Sequence, residues 1–180
     1  MSEWEHAAMH LEVRAATPSD FDTIERIEEQ ADLLFFEAFQ PKHWPPPSSA
    51  ADRLAQGGFL LVGEAANPAD GRRELVGFAH VIEAAGLAHL EQVSVLPTFG
   101  RRGYGRTLVE AAMHAARGRG YHELTLRTYA DLPWNAPFYR NLGFVPSRPR
   151  GKFLLGLVEA ERAEGLERFG SRVQMTVSLV

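Results

Sequence analysis

Apolar and polar positions recur with two different periods along this chain, and each change of period marks a boundary between a strand and a helix. Leu11 and Val13 alternate with polar neighbours, and Thr17, Pro18, Ser19 and Asp20 supply turn and N-cap chemistry ahead of a helical pattern through Ile24 and Ile27. Over residues 33–50 the pattern loosens into an aromatic stretch (Phe35, Phe36, Phe39, His43, Trp44) closed by Pro45, Pro46 and Pro47, which reads as a short helix and an ordered loop. Residues 58–64 and 74–83 are short apolar runs separated by Asn67, Pro68, Ala69, Asp70 and Gly71, the signature of a hairpin. A second turn at Ala85 and Gly86 leads into residues 88–95, so three consecutive strands are expected to form an antiparallel meander.

After Pro97 the period lengthens: Leu108, Ala111, Ala112 and Ala115 recur at helical spacing from Gly103 until Gly118 and Gly120 stop the helix. Residues 123–129 alternate again. A strand, helix and strand in that order need a right-handed crossover, so residues 88–95 and 123–129 should pair in parallel and the sheet should be mixed. Asn135 is expected to cap a short helix ending at Gly143, with Pro137 in its first turn, where amide donors are unpaired anyway. Residues 153–166, apolar on one side and acidic on the other, read as a surface helix. Val173, Met175, Val177 and Leu179 alternate with Arg172, Gln174, Thr176 and Ser178, giving a half-buried terminal strand. Without repeats or linkers, residues 1–180 are expected to form one α/β (α+β) domain, with a mixed, mostly antiparallel sheet, helices on both faces, and residues 1–10 as a flexible tail.

Composition removes several classes of function. A chain of 180 residues with 45% hydrophobic content can bury a real core, and its net charge of −4 provides no bulk attraction to nucleic acid or an anionic membrane surface. With no cysteine, disulfides, thiolate metal sites and an acyl-cysteine intermediate are all excluded. No apolar run approaches the ~20 residues that span a bilayer, and residues 1–10 do not read as a signal segment, so a cytoplasmic protein is expected. Lysine occurs only at Lys42 and Lys152, and the only histidines four residues apart, His6 and His10, lie in the expected tail, so neither a catalytic lysine nor a metal is assigned.

The chemistry concentrates where a strand end meets a helix start, in Gly100-Arg101-Arg102-Gly103-Tyr104-Gly105-Arg106-Thr107. The first turn of a helix exposes unpaired amides and a partial positive charge, and glycines let a ligand approach the backbone. Cations there are disfavoured by ~0.3–1 kcal/mol each unless an anion sits among them, so Arg101, Arg102 and Arg106 point to a phosphate. A dinucleotide fingerprint would need a third glycine at Leu108 and fails. A P-loop would need lysine at Arg106 and remains a weak alternative.

Val95, Leu96, Pro97, Gly103 and Gly105 resemble, in register, the phosphate loop of the GNAT (Gcn5-related) N-acetyltransferase superfamily, Gln/Arg-x-x-Gly-x-Gly/Ala after a strand ending in Val-x-Pro; Gly100 stands where that pattern has glutamine or arginine. Asn135-Ala-Pro-Phe-Tyr139-Arg-Asn-Leu-Gly-Phe144 resembles the family's second signature with a shortened spacing, and the likeness covers roughly residues 11–146 and the final strand. The resemblance implies acetyl-CoA as co-substrate, seated between two splayed parallel strands, with direct transfer of the acetyl group to a primary amine in a ternary complex. It assigns cofactor contacts to Val93, Ser94, Val95, Arg101, Arg102, Gly103, Tyr104, Gly105, Arg106 and Asn135, and the role of proton donor or hydrogen-bond donor to the leaving thiolate to Tyr139.

A general base must take the amine's proton, and Glu91 and His89 are the candidates, with Glu91 preferred because it lies nearer the expected acetyl position. Period-two geometry would put His89, Glu91, Val93 and Val95 on one face of the strand, with His89 at the surface. By resemblance, Phe35, Phe36, Phe39 and Trp44 wall the acceptor site, with Trp134 opposite, although core packing is the default reading of each phenylalanine. The acceptor stays open between a small-molecule amine and a protein amine, a non-catalytic acyl-CoA sensor is the alternative function, and a homodimer contact could use residues 153–166 and the terminal strand.

Overall fold

Local alternation and pairing build one sheet from β1 (Glu12–Ala15), β2 (Phe59–Ala66), β3 (Arg73–Ala84), β4 (Leu87–Val95), β5 (Glu123–Tyr129), β6 (Val145–Ser147) and β7 (Arg172–Ser178), ordered β1-β2-β3-β4-β5-β7-β6. The structure is a computed structural model that describes residues 10–42, 44, 46–67 and 69–180; the expected tail, apart from His10, and His43, Pro45 and Pro68 lie outside the described residues. Every neighbouring pair of strands is antiparallel except β4 and β5. The mixed sheet and the β2–β3–β4 meander are as the sequence predicts. The three-residue β6 went unread because Val145-Pro146-Ser147 is too short to show a period.

Helix α3 (Tyr104–Gly118) is the crossover between β4 and β5. Its buried stripe, Tyr104, Leu108, Val109, Ala112 and Ala116, packs against Val76, Ala79, Val81, Leu90, Leu124, Leu126 and Met175 in the larger of two apolar clusters. Burying side chains as large as Leu108 and Val109 stabilises the fold by roughly 1.5–3 kcal/mol each. A short helix, α4 (Ala136–Arg140), follows β5; Asn135 precedes it but its side chain forms no capping hydrogen bond, contrary to expectation.

The other face carries α1 (Phe21–Phe39), α2 (Ala50–Ala55) and α5 (Gly151–Glu164). Helix α1 runs unbroken to Phe39, whereas the sequence suggests a break near Leu33; Gln40, in the left-handed conformation, ends it by donating to the Phe36 carbonyl. The helical period was obscured because the buried stripe changes chemistry. Ile24 and Ile27 sit on Leu60, Val62 and Phe78, and the same stripe then continues as the buried carboxylates Glu28 and Asp32. The terminal strand β7 is enclosed between β5 and β6, so its middle offers no free edge to a partner subunit. No helix among the described residues is long and apolar enough to cross a membrane.

Candidate active site

Gly103 opens α3 with φ of 81°, a left-handed conformation that glycine adopts without penalty, and no side chain caps the helix. The amides of its first turn are therefore left for water or a ligand, in contrast to α2, where Ser49 accepts from the Asp52 amide at 3.1 Å. Gly105 keeps the backbone bare two residues further on, and a methyl group there would only touch the Phe138 ring at 3.6 Å. Arg101 and Arg102 are exposed and take part in no salt bridge among the described residues, with Arg102 lying 5.4 Å from the Phe99 ring. Arg106 is different: it pairs with Glu110 at 2.8 Å and donates to the Asn141 carbonyl at 2.9 Å. Tyr104 is buried, so any contact it makes with a ligand there must use its amide.

Pairing between β4 and β5 covers only Ala88–Leu124, His89–Thr125 and Leu90–Leu126, after which the two strands separate. The separation coincides with a bulge. Val81 faces Leu90 while His80 faces Gln92, so Glu91 is an extra residue in β4. The extra residue reverses the strand's alternation. Leu90, Val93 and Val95 all meet the α3-side cluster, whereas His89 and Glu91 face α1 and α5. The expectation of one face shared by His89, Glu91, Val93 and Val95 is thus wrong, because period-two reasoning fails across a bulge.

His89 is not a surface residue either: 2% of its side chain is exposed, its Nδ1 lies 2.8 Å from the Thr125 hydroxyl, and Phe153 meets its ring edge-on. Burial, reinforced by the charge of Arg127, pushes its pKa down to about 4. Glu91 opens onto a recessed cavity with protein on most sides, and this partial burial raises its carboxyl above the usual range. Of the two, Glu91 has the basicity better matched to taking up a proton near neutral pH.

That cavity, about 290 Å³, lies over the parting strands between α1, α5 and the segment after α1. Phe35, Trp44 and Tyr129 line it, and Trp44 stacks on Phe35 with centroids 5.2 Å apart. Trp134 is exposed and takes no part in its wall. Three carboxylates in the wall have evident roles or partners. Glu161 accepts from Arg127 at 2.8 Å and Arg172 at 2.5 Å; burial opposes its charge, but these two bonds win and hold its pKa down. Glu28 pairs with the buried Arg53, whose guanidinium also lies over Phe78. Glu91 faces the neutral His89 at 3.7 Å.

Tyr139 lies on the α3 side of the sheet, edge-on to Phe138 and Phe144, and burial pushes its hydroxyl up to about 12, so it keeps its proton at neutral pH. Glu91 and Tyr139 thus lie on opposite faces of the sheet.

The family model for the acetyltransferase (GNAT) family matches residues 24–144. The chain belongs to that family. This GNAT acetyltransferase is similar in fold to the ribosomal-protein-S18-alanine N-acetyltransferase from Escherichia coli, at 18% identity, a TM-score of 0.63 and 94% of each chain covered. It is similar to Ard1 from Thermoplasma volcanium, at 17% identity and TM-score 0.65 over 94% of this chain and 98% of that one. A GNAT family acetyltransferase from Brucella melitensis, solved in complex with acetyl-CoA, matches at 24% identity and TM-score 0.59 over 80% of this chain and 94% of that one.

Family membership removes the P-loop alternative, and the geometry agrees: the strand before the loop is antiparallel to β3, and Arg106, in the place of the P-loop lysine, is tied to Glu110. The glycine-rich loop was found from sequence because it is contiguous. Glu28, Asp32, Arg53, Arg127, Glu161 and Arg172 were missed, being drawn from α1, α2, β5, α5 and β7. One signal was available, since Glu28 and Asp32 extend the Ile24 stripe at intervals of four residues, placing carboxylates where an amphipathic helix should be apolar.

Proposed function

We propose that this acetyltransferase moves the acetyl group of acetyl-CoA directly onto a primary amine held in the cavity beside Glu91. The observation that carries the reading is the gap opened by the bulge at Glu91, with a bare helix N-terminus at its α3 end and a carboxylate-lined cavity on its other face. The amides of Gly103, Tyr104 and Gly105, with Arg101 and Arg102, would hold the diphosphate, and Arg106 would brace the loop. Val93, Ser94 and Val95, beyond the last β4–β5 pair, would offer backbone partners to the pantetheine arm, with Asn135 closing the far side.

In this reaction the amine nitrogen bonds to the thioester carbon as the carbon–sulfur bond breaks, and the amine's proton passes through water to Glu91. Tyr139 donates a hydrogen bond to the departing thiolate. With its hydroxyl near 12, outright proton transfer to a thiolate whose thiol has an ordinary pKa, about 8.5, would be uphill, so hydrogen bonding is its main contribution and the thiolate takes its proton from solvent. Positioning and electrostatics carry the rest.

Release of free thiol from acetyl-CoA, followed over a panel of amines, tests the reading. Tyr139→Phe is expected to lower kcat by about 100-fold while leaving the KM for acetyl-CoA within about twofold. Unchanged turnover would remove Tyr139 from the mechanism, and acetyl-CoA binding with no amine ever acetylated would favour a sensor.

A further inference from the structure

Asp32 has no evident role in the chemistry proposed above. It is 8% exposed, lines the cavity, and has no cationic partner within salt-bridge distance among the described residues. Among the described residues its side chain accepts one hydrogen bond, from a neutral donor, Trp44 Nε1, at 3.0 Å. Burial raises its pKa, and the hydrogen bond from Trp44 and the charge of Arg53 only partly oppose that. A buried carboxylate without a counter-charge is costly, and persists where something else supplies the charge.

The charges around the cavity show what is missing. Its wall holds the carboxylates Glu28, Asp32, Glu91, Glu161 and Glu164, which face Arg127 and Arg172 in the wall and Arg53 behind Glu28. The net surplus is two negative charges, and three carboxylates, Asp32, Glu91 and Glu164, have no Lys or Arg partner among the described residues; Glu164 is exposed, where water screens it, which leaves Glu91 and Asp32. One acceptor ammonium, losing its proton beside Glu91, offsets only one of them. The second lies at Asp32, which accepts from the edge of Trp44, while Phe35, stacked on Trp44, and Tyr129 line the same cavity. A buried carboxylate short of counter-charge in an aromatic-lined cavity is a setting that attracts an organic cation.

The geometry points to a small diamine acceptor, whose first nitrogen is acetylated beside Glu91 while its second, still positively charged, sits against Asp32 in the aromatic-lined part of the cavity. This rests on the acetyl-transfer reading and narrows its substrate class. A cavity of about 290 Å³, at the small end for ligand pockets, fits a short aliphatic diamine better than a bulky acceptor.

The test compares 1,4-diaminobutane, n-butylamine and 4-aminobutyrate as acceptors, with chain length held constant while the distal group is positive, absent or negative. The diamine is expected to exceed butylamine in kcat/KM by about tenfold or more, and 4-aminobutyrate to fall below both. Asp32→Asn, which keeps the side chain's shape and can still accept from Trp44, should reduce the ratio of diamine to butylamine to about threefold or less. Equal use of the two amines, or an unchanged ratio in the variant, would overturn the proposal while leaving acetyl transfer intact. Should no amine be acetylated, calorimetry of 1,4-diaminobutane with the CoA-saturated protein still decides it: binding that Asp32→Asn abolishes supports the cation seat, and no binding overturns it.

Discussion

The two faces of the sheet are built from different materials. Against α3, apolar side chains form a close-packed cluster and the functional groups are backbone amides at a helix N-terminus. Against α1, α2 and α5, the buried groups include Asp32, His80, His89, the Glu28–Arg53 pair and the Arg127–Glu161–Arg172 triad. The contrast matches the tasks proposed for each side. Binding a cofactor common to many reactions requires only main chain and glycine, whereas selecting an acceptor requires side chains, and these carry a cost in desolvation.

Stability measurements should separate the faces most strongly. Leu108→Ala removes packing from the middle of the α3 stripe and is expected to cost about 2–5 kcal/mol at any pH where the protein is folded. Glu161→Ala leaves Arg127 and Arg172 buried without their shared partner, at a cost of about 3–5 kcal/mol near neutral pH, or roughly 10 °C in Tm. The two losses should respond differently to acid. Because Glu161 is held below its ordinary pKa, its contribution is present above the usual carboxylate range and is lost as pH falls through the lowered value. Thermal melts of wild type and Glu161→Ala should therefore converge on acidification, while those of Leu108→Ala stay apart. Parallel behaviour of both variants would mean that the charged face is held by packing alone.

The same contrast explains what could be read from the sequence. The glycine-rich loop, α3, β5 and the meander were legible because each is specified by residues close together in the chain, Gly103 and Gly105 among them. The acceptor side was not, since Arg127 and Glu161 meet only after β5 and α5 have docked. Glu91 is a candidate from the sequence but is placed there on the wrong face, because a bulge is set by how β3 and β4 pair and leaves no mark in the period of β4 alone.

Glu91 itself gives the next test. Its pKa is raised in the fold, so the carboxylate form needed to accept a proton should be lost as pH falls, with the acid limb of kcat/KM lying above the ordinary carboxylate range. Glu91→Gln is expected to erase that limb and reduce kcat/KM by about 100-fold, measured at saturating acetyl-CoA with a single acceptor. An inflection that survives in Glu91→Gln and disappears in His89→Asn would move the role to His89.

The smallest effects are expected at the arginines of the phosphate loop, where exposure weakens each charge but the three should differ in kind. Arg101→Ala and Arg102→Ala remove cations without other ion pairs among the described residues, so each should raise the KM for acetyl-CoA by about two- to fivefold, less at high salt. Arg106 already has Glu110, and its second contact is the Asn141 carbonyl at the end of α4, the helix that carries Tyr139. Arg106→Ala should therefore loosen the seat of Tyr139 and appear as a lower kcat, with an acetyl-CoA KM that changes less and shows little dependence on salt. Identical, salt-sensitive KM increases for all three arginines would instead place Arg106 on the diphosphate with the other two.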